Sequence, residues 1–264
     1  MKLIIPILLL GTTACRSTDS SHTSAMATQS RRVTSVVVGQ RIKAVVSASD
    51  RAAADRQLDA GRQPGKMLAF FGIKQKARVA ELGAGSGYTA ELLARAVGPS
   101  GKVYGENSRF ILDRFAEKPW SARLKKSVMA NAVRLDRPFD DPFPKEVGEL
   151  DAVLIVLFYH DTYWQGIDRA KMNRAVFRAL KSKGIYGIVD HSAKPGAGSS
   201  QVKTLHRIEE NLVRQEIEAA GFRLVASADF LRNASDQRDW NAAPRASGGR
   251  RGTSDRFVLK FIKP

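Results

Sequence analysis

Three features of the sequence predict a doubly wound α/β fold. Short apolar runs bounded by turn residues alternate with stretches of helical periodicity from about residue 50 to the C-terminus. Residues 151–158 form the kind of continuous apolar run that a central parallel strand shows when both its faces are covered. A glycine-rich turn at 83–87 joins a predicted strand to a predicted helix, the arrangement that open α/β sheets place at their carboxyl edge. The chain has 264 residues, which suits one such domain with an N-terminal extension, and its 43% apolar composition supplies a core.

The elements follow in order. Ser49 ahead of Asp50-Arg51-Ala52 predicts a capped helix that ends near Gly61. Pro64 suits the first turn of a second helix, stopped by Gly72. Strands are predicted over 77–82 and 102–106, with a helix from Tyr88 to Val97 between them. Another helix begins over 110–115, and a weaker strand lies over 132–135. After the central strand, Met172, Ala175, Val176, Ala179 and Leu180 mark a helical face, with Gly184 as its stop. A strand over 185–189, a helix over 205–220 closed by Gly221, and strands over 222–226 and 257–262 complete the series. The polar stretch 233–255, with Arg245, Arg250 and Arg251 among glycines, is too long for an ordinary hairpin and reads as a lid or an insertion.

The first fifteen residues stand apart. Lys2, an apolar run over 3–10 and small residues up to Ala14 describe an export signal. The lone cysteine, Cys15, resembles the lipidation site of a bacterial lipoprotein signal. Residues 16–47 then read as a flexible tether, 48–72 as N-terminal helices and 73–264 as the α/β core. Met26 as the true start is the competing reading and would make the chain cytoplasmic. One cysteine excludes an intramolecular disulfide framework and any zinc site that needs two thiolates. No metal ligand set is assigned from the sequence. No run of 18 apolar residues exists, so a conventional membrane-spanning helix is excluded.

The composition gives a formal charge of +17. Such an excess attracts anions. It reads either as a solvated cationic face or as a surface for anionic lipid or an acidic acceptor. Nucleic acid is a weak third reading, because no helix-turn-helix, zinc finger or aromatic-and-basic signature is present.

The glycine turn reads Glu81-Leu82-Gly83-Ala84-Gly85-Ser86-Gly87. Its spacing excludes the dinucleotide fingerprint, whose third glycine would fall at Tyr88. The E-x-G-x-G-x-G form resembles motif I of the class I S-adenosylmethionine-dependent methyltransferases. The resemblance extends over most of residues 50–264. It implies a Rossmann-like seven-stranded sheet with the last strand antiparallel and S-adenosylmethionine as cofactor. It places Glu81, Gly83, Ala84, Gly85, Gly87 and Tyr88 at the cofactor's amino-acid end. Glu106 or Asn107, at the end of the second strand, takes the position of the acid that bonds the ribose. Asp140 and Asp141 take that of an adenine contact. Several pieces, among them Asp55-Arg56, 158–161 and Asp190-His191, look like a bacterial group of predicted methyltransferases often made with export signals.

Methyl transfer needs an acceptor lone pair in line with the methyl carbon, and a base if the nucleophile is protonated. Tyr159, His160 and Asp161 follow the central strand and are the catalytic candidates: His160 as general base, Tyr159 near the sulfonium, Asp161 as a partner or simply a helix cap. His191 and His206 follow the next strand and are candidates to line an acceptor pocket, with packing or hydrogen bonding on its helix as the first reading of His206. The expected activity is methylation of a small-molecule acceptor. The alternative is a non-catalytic, envelope-associated protein that keeps the fold.

Overall fold

The computed structural model describes Met1 and residues 37–264. The export signal, Cys15 and residues 16–36 of the expected tether lie outside the described residues. The chain divides into two compact units, Met1–Gly39 and Gln40–Pro264, and the architecture below is that of the second.

The tether expected through residue 47 ends earlier. Residues 40–46 are helical, and Ile42 and Val45 are buried in the core. Arg41 fastens this helix by donating to the carbonyls of Ala96 (2.6 Å) and Ile73 (2.7 Å). So short an apolar pattern, next to a polar stretch, carries no strong periodicity of its own.

Seven strands form one sheet: β1 (Arg78–Leu82), β2 (Lys102–Asn107), β3 (Ala132–Asp136), β4 (Leu150–Val156), β5 (Leu180–His191), β6 (Arg223–Ala228) and β7 (Arg256–Ile262). Their order is β3-β2-β1-β4-β5-β7-β6. The first five are parallel, and β7 runs antiparallel to both β5 and β6. This is the predicted doubly wound sheet with the last strand reversed. The central strands β1 and β4 pair in register from Val79–Ala152 to Leu82–Ile155, and all eight residues are buried. Covering both faces explains why the 151–158 run is apolar without alternation.

The helices are α1 (Ala53–Arg62), α2 (Pro64–Phe71), α3 (Tyr88–Val97), α4, α5 (Asp161–Trp164), α6 (Arg169–Ala179) and α7 (Glu210–Ala219). Helix α4 starts at Arg109–Ile111, widens into a π turn over Leu112–Ala116 and resumes at Glu117–Leu124. Pro119 has no N–H for the carbonyl four residues back, and the ladder widens just before it. That places Trp120 and Arg123 beneath the glycine turn, a position with consequences below. Among the described residues no helix is long and apolar enough to cross a membrane.

Four expectations are corrected. Ser49 does not cap α1: Ala52 precedes that helix, and Asp50 instead pairs with Arg95 at 2.8 Å. Gly184 does not end a helix. Strand β5 starts at Leu180 directly after α6, and residues 181–184 bulge out between the pairs Leu150–Leu180 and Ala152–Ile185. The helix expected over 205–220 begins only at Glu210, and His206 lies in a turn with φ +56°. The cause is Arg207. Its guanidinium is fully buried and must be satisfied, by Asp236 (2.9 Å) and by the carbonyls of Ser192 (3.1 Å) and Trp240 (3.2 Å). Finally, the 233–255 stretch is bound into the fold through buried Asp236, Ser254 and Asp255. Asp236 also accepts from the Asp255 backbone N–H (2.6 Å) and the Trp240 indole (2.8 Å).

Candidate functional site

The glycine turn leaves β1 at the carboxyl edge of the sheet, and its three glycines do different work. All have φ in the left-handed region: +69° at Gly83, +56° at Gly85 and +85° at Gly87. A Cβ on Gly83 would lie 2.6 Å from the Phe158 ring, and one on Gly87 would lie 2.4 Å from Trp120. A Cβ on Gly85 would meet nothing within 4 Å. The outer glycines are packed against the protein, and the middle one faces open space.

The N–H groups of Gly83, Ala84 and Gly85 are already used. Gly83 N–H donates to Glu106 Oε2 (3.2 Å), Ala84 N–H to the Glu106 carbonyl (2.9 Å) and Gly85 N–H to Asn107 Oδ1 (2.7 Å). Asn107 also donates from Nδ2 to the Gly85 carbonyl (3.1 Å). A carboxylate could only accept, so an amide is what holds both sides of this peptide. Asn107 therefore clamps the turn, with one Oδ1 lone pair and one Nδ2 hydrogen engaged.

Two buried carboxyls lie beside the clamp. Burial outweighs the hydrogen bond from Thr89 and pushes the Glu81 carboxyl up to about 8. Burial pushes Glu106 well above the usual carboxylate range, against the pull of the Gly83 N–H. Glu81 Oε2 and Glu106 Oε1 have no aligned hydrogen-bond partner. Among the described residues, each therefore has a position open to a ligand's polar group.

Tyr88 is committed elsewhere. Its hydroxyl donates to Asp59 (2.6 Å), which also holds Arg51 in a two-point ion pair, and the Arg62 guanidinium lies 4.5 Å over its ring. Arg123 ties α4 to the site, donating to the Ser86 carbonyl (2.6 Å) and pairing with Asp55 (2.6 Å) and Glu91 (2.5 Å). Trp120 and Arg123 support the turn but leave no local sequence signal. The glycines at 87 and 105, both pressed on Trp120, are their trace.

A cleft of about 520 Å³ opens at the carboxyl ends of β2 and β3, lined by Ser108, Phe110, Phe139, Asp140, Trp164 and Asp168. Phe139 stacks on Phe158 at 4.6 Å, which joins this cleft to the floor of the glycine turn. Asp140 faces the cleft and pairs with Lys171 (3.1 Å). Asp141 is not part of its lining and instead pairs with Arg137. Another cleft of similar volume, lined by Arg41, Val45, Lys102 and Asn131, lies at the opposite edge of the sheet.

The three residues after β4 separate. Tyr159 is fully buried, donates to Glu216 (2.8 Å) and accepts from Asn173 (2.9 Å). It belongs to the helix-packing layer of α6 and α7 and is removed from the catalytic candidates. His160 is also fully buried. Asp190 accepts from its ring Nδ1 (2.6 Å) and from its backbone N–H (2.8 Å). Burial opposes the imidazolium, but Asp190 and Asp161 outweigh it and raise the ring to about 10. A ring that keeps its proton at neutral pH does not serve as the expected general base. Asp161 is the first residue of α5 and caps nothing with its side chain. It accepts from the Trp164 indole (2.6 Å) and lies 3.3 Å from Nε2 of both His160 and His206.

His206 joins the cluster from the turn before α7, with its ring 4.3 Å from that of His160. His191 packs 5.7 Å from His160 and bonds Ser254 (2.7 Å). Burial, with the charge of His160 next, keeps both His191 and His206 below the usual histidine range.

A sequence-family model described as protein-L-isoaspartate(D-aspartate) O-methyltransferase matches residues 25–119, a little over a third of the chain. The match holds the glycine turn and β2 and stops before β3. A comparison with curated proteins finds no match. Among solved structures, an S-adenosylmethionine-dependent methyltransferase from Aquifex aeolicus is similar over 86% of this chain and 98% of its own (18% identity, TM-score 0.57). A Galdieria sulphuraria protein, described as a candidate sarcosine dimethylglycine methyltransferase, matches over 78% and 86% (19% identity, TM-score 0.56). The cyclase SpnF matches over 83% and 85% (16% identity, TM-score 0.53). S-adenosylmethionine is the cofactor these comparisons support. The strand order, the reversed β7 and these neighbours together give the chain the fold of the class I S-adenosylmethionine-dependent methyltransferases.

Proposed function

We propose that the protein binds S-adenosylmethionine over Gly85 and transfers its methyl group to a small-molecule acceptor at the ends of β4 and β5. The observation that carries this reading is the chemistry of the glycine turn. A phosphate-binding turn offers free N–H groups to an anion. Here those of Gly83, Ala84 and Gly85 are consumed, and two buried carboxyls without partners stand next to them. Such a site rejects phosphate and suits a ligand that brings donors, and S-adenosylmethionine brings an ammonium group and a ribose diol. Glu106 is better placed than Asn107 to accept from the ribose, and Asp140 to accept from an adenine amino group at the cleft.

When bound, S-adenosylmethionine supplies an activated methyl group on a sulfonium. The protein's part is positioning. Trp120, Arg123 and Asn107 fix the turn, Phe158 sets its floor, and the His160–Asp161–His206 cluster bounds the acceptor side of the same edge. With Tyr159 turned away and His160 holding its proton, rate comes from alignment, which is worth several kcal/mol when the reacting atoms are held in line. The matched family model ends before β4, so it does not extend its acceptor to this chain.

The test is incubation of the full chain with S-adenosylmethionine labelled on the methyl group and a panel of phenols, thiols, amines and carboxylates. Transfer that is lost in Gly85→Val supports the reading. A wild-type protein that neither binds the cofactor nor transfers the label overturns it.

We also read residues 1–15 as a lipoprotein signal, supported by the apolar run ahead of Cys15. The +17 charge then suits an anionic membrane surface. Cys15→Ala should move the protein out of the membrane fraction and abolish lipid labelling. Wild-type protein found soluble with Met1 retained overturns that reading.

A further inference from the structure

The sequence has four histidines, and three of them converge at the carboxyl ends of β4 and β5. Methyl transfer by alignment needs them only as a boundary and does not call on their lone pairs.

We propose that His160 Nε2, His206 Nε2 and Asp161 form a binding site for one divalent transition-metal cation of the zinc type. The donor atoms all lie within 4.8 Å of one another. The Asp161 oxygen is 3.3 Å from each imidazole nitrogen. Metal–ligand bonds of about 2.0–2.1 Å at tetrahedral angles put neighbouring donors about 3.3 Å apart. Two edges of that polyhedron are thus already set, and closing the third needs only a shift of His206, which sits on a turn.

Two independent observations point to a ligand. His160 Nε2 is completely buried, and among the described residues its one polar neighbour at short range, Asp161 Oδ1 at 3.3 Å, is not aligned to take a hydrogen bond from it, so the nitrogen lacks a good partner. Its other nitrogen is fixed by Asp190 at 2.6 Å, and Asp190 also accepts from the His160 backbone. This is the carboxylate–histidine–metal relay in which an outer carboxylate sets the ring's orientation and raises its donor strength. With Nδ1 facing Asp190, Nε2 is the ring nitrogen that faces Asp161 and His206. His191 is outside the group of donors that lie within 4.8 Å of one another.

Two imidazoles and one carboxylate favour zinc, cobalt or ferrous iron over magnesium or calcium, which prefer all-oxygen shells. Three protein ligands leave at least one position open. His206 and Asp161 are the members that reach the surface, with side chains 22% and 14% exposed, so the open position faces outward. An acceptor bearing a hydroxyl, thiol or carboxylate would bind there through its own lone pair. The inference goes beyond the methyltransferase reading and does not depend on it, since the measurement uses the metal alone.

The experiment uses the untagged full chain, stripped with chelator. Zn²⁺ titration followed by calorimetry, and Co²⁺ titration followed by visible absorption, should each show one site of micromolar affinity or tighter. The Co²⁺ spectrum should have the intensity of a four- or five-coordinate ion. His206→Ala should weaken Zn²⁺ binding by at least about 100-fold. Asp190→Asn, which touches no metal, should weaken it by about 10–100-fold through the ring it orients. Unfolding temperature without metal checks that each variant is folded, and Zn²⁺ should raise it in wild type but not in His206→Ala. Wild-type protein that binds neither ion, or a folded His206→Ala that binds like wild type, overturns the site. Methyl transfer or S-adenosylmethionine binding that persists in either case leaves the methyltransferase reading standing.

Discussion

The two halves of the carboxyl edge are built on opposite plans. At β1 and β2 the working surface is backbone. Glycines, a clamped peptide and two unpartnered carboxyls leave Gly85 facing open space. At β4 and β5 it is side chain. A buried imidazole lies between two carboxylates, with two more histidines around it. A backbone surface is specified by residues a few positions apart. A side-chain cluster is specified by topology, which here brings together residues 160, 161, 190 and 206. The first plan suits a ligand whose shape is constant, and the second one whose chemistry differs between relatives of a fold.

The contrast should appear most strongly in stability. His160→Ala leaves Asp190 buried without its partner, so unfolding in denaturant should show a loss of about 3–5 kcal/mol. A loss under about 1 kcal/mol would mean that the His160–Asp190 contact does little to hold this edge together. The glycine turn should respond position by position. Gly83→Ala and Gly87→Ala drive a methyl into Phe158 or Trp120 and should each cost about 2–3 kcal/mol. Gly85→Ala meets no neighbour and should cost only its positive φ, about 1 kcal/mol. Equal losses at all three would erase the distinction between packed and open glycines.

That distinction marks what could be read beforehand. The E-x-G-x-G-x-G spacing carries the turn and its two flanking elements, because each rests on contiguous residues, and the resemblance built on it carries the seven-stranded sheet with its last strand reversed. Sequence could not tell which glycine faces a ligand, since the answer lies in Trp120 and Phe158 from other elements. Sequence leaves Glu106 and Asn107 both open as the ribose contact, because both end β2. That Asn107 bonds the N–H and the carbonyl of Gly85 is visible only once β1 and β2 pair. Tyr159 and His160 are adjacent in a strand-end segment, yet one meets Glu216 and the other Asp190. No pattern in residues 158–161 announces that split. His206 was placed on a helix because nothing near it signals the buried Arg207 that pulls the turn out of shape.

The pH response separates the halves further. Glu81 holds its proton in the native state up to about 8, well above the ordinary carboxylate value near 4.5. Between those values the native state binds more protons than the unfolded chain, so stability is full below about pH 4.5 and falls as pH rises toward 8. The loss attributable to Glu81 should be on the order of 2 kcal/mol, at about 1.36 kcal/mol per unit with allowance for relaxation. Glu81→Gln should flatten that slope, as read from denaturation midpoints across the range. An unchanged slope would place the effect on Glu106, whose carboxyl is shifted in the same direction.

The smallest effect concerns the clamp. Asn107→Asp keeps the acceptor for Gly85 N–H and loses the donor to the Gly85 carbonyl. A loss of about 1 kcal/mol in stability is expected, with S-adenosylmethionine affinity falling several-fold as the turn loosens. Affinity that rises instead would mean that position 107 does reach the ribose.

The central claim is that Gly85 is the floor of an S-adenosylmethionine site. It is tested most directly by calorimetry of the full chain with S-adenosylmethionine and S-adenosylhomocysteine, wild type beside Gly85→Val. The expected result is one site in wild type and a loss of affinity of at least about 100-fold in the variant, with unfolding midpoints that stay close because the new side chain meets only open space. Equal affinity in a folded Gly85→Val, or no binding by wild type, would contradict it.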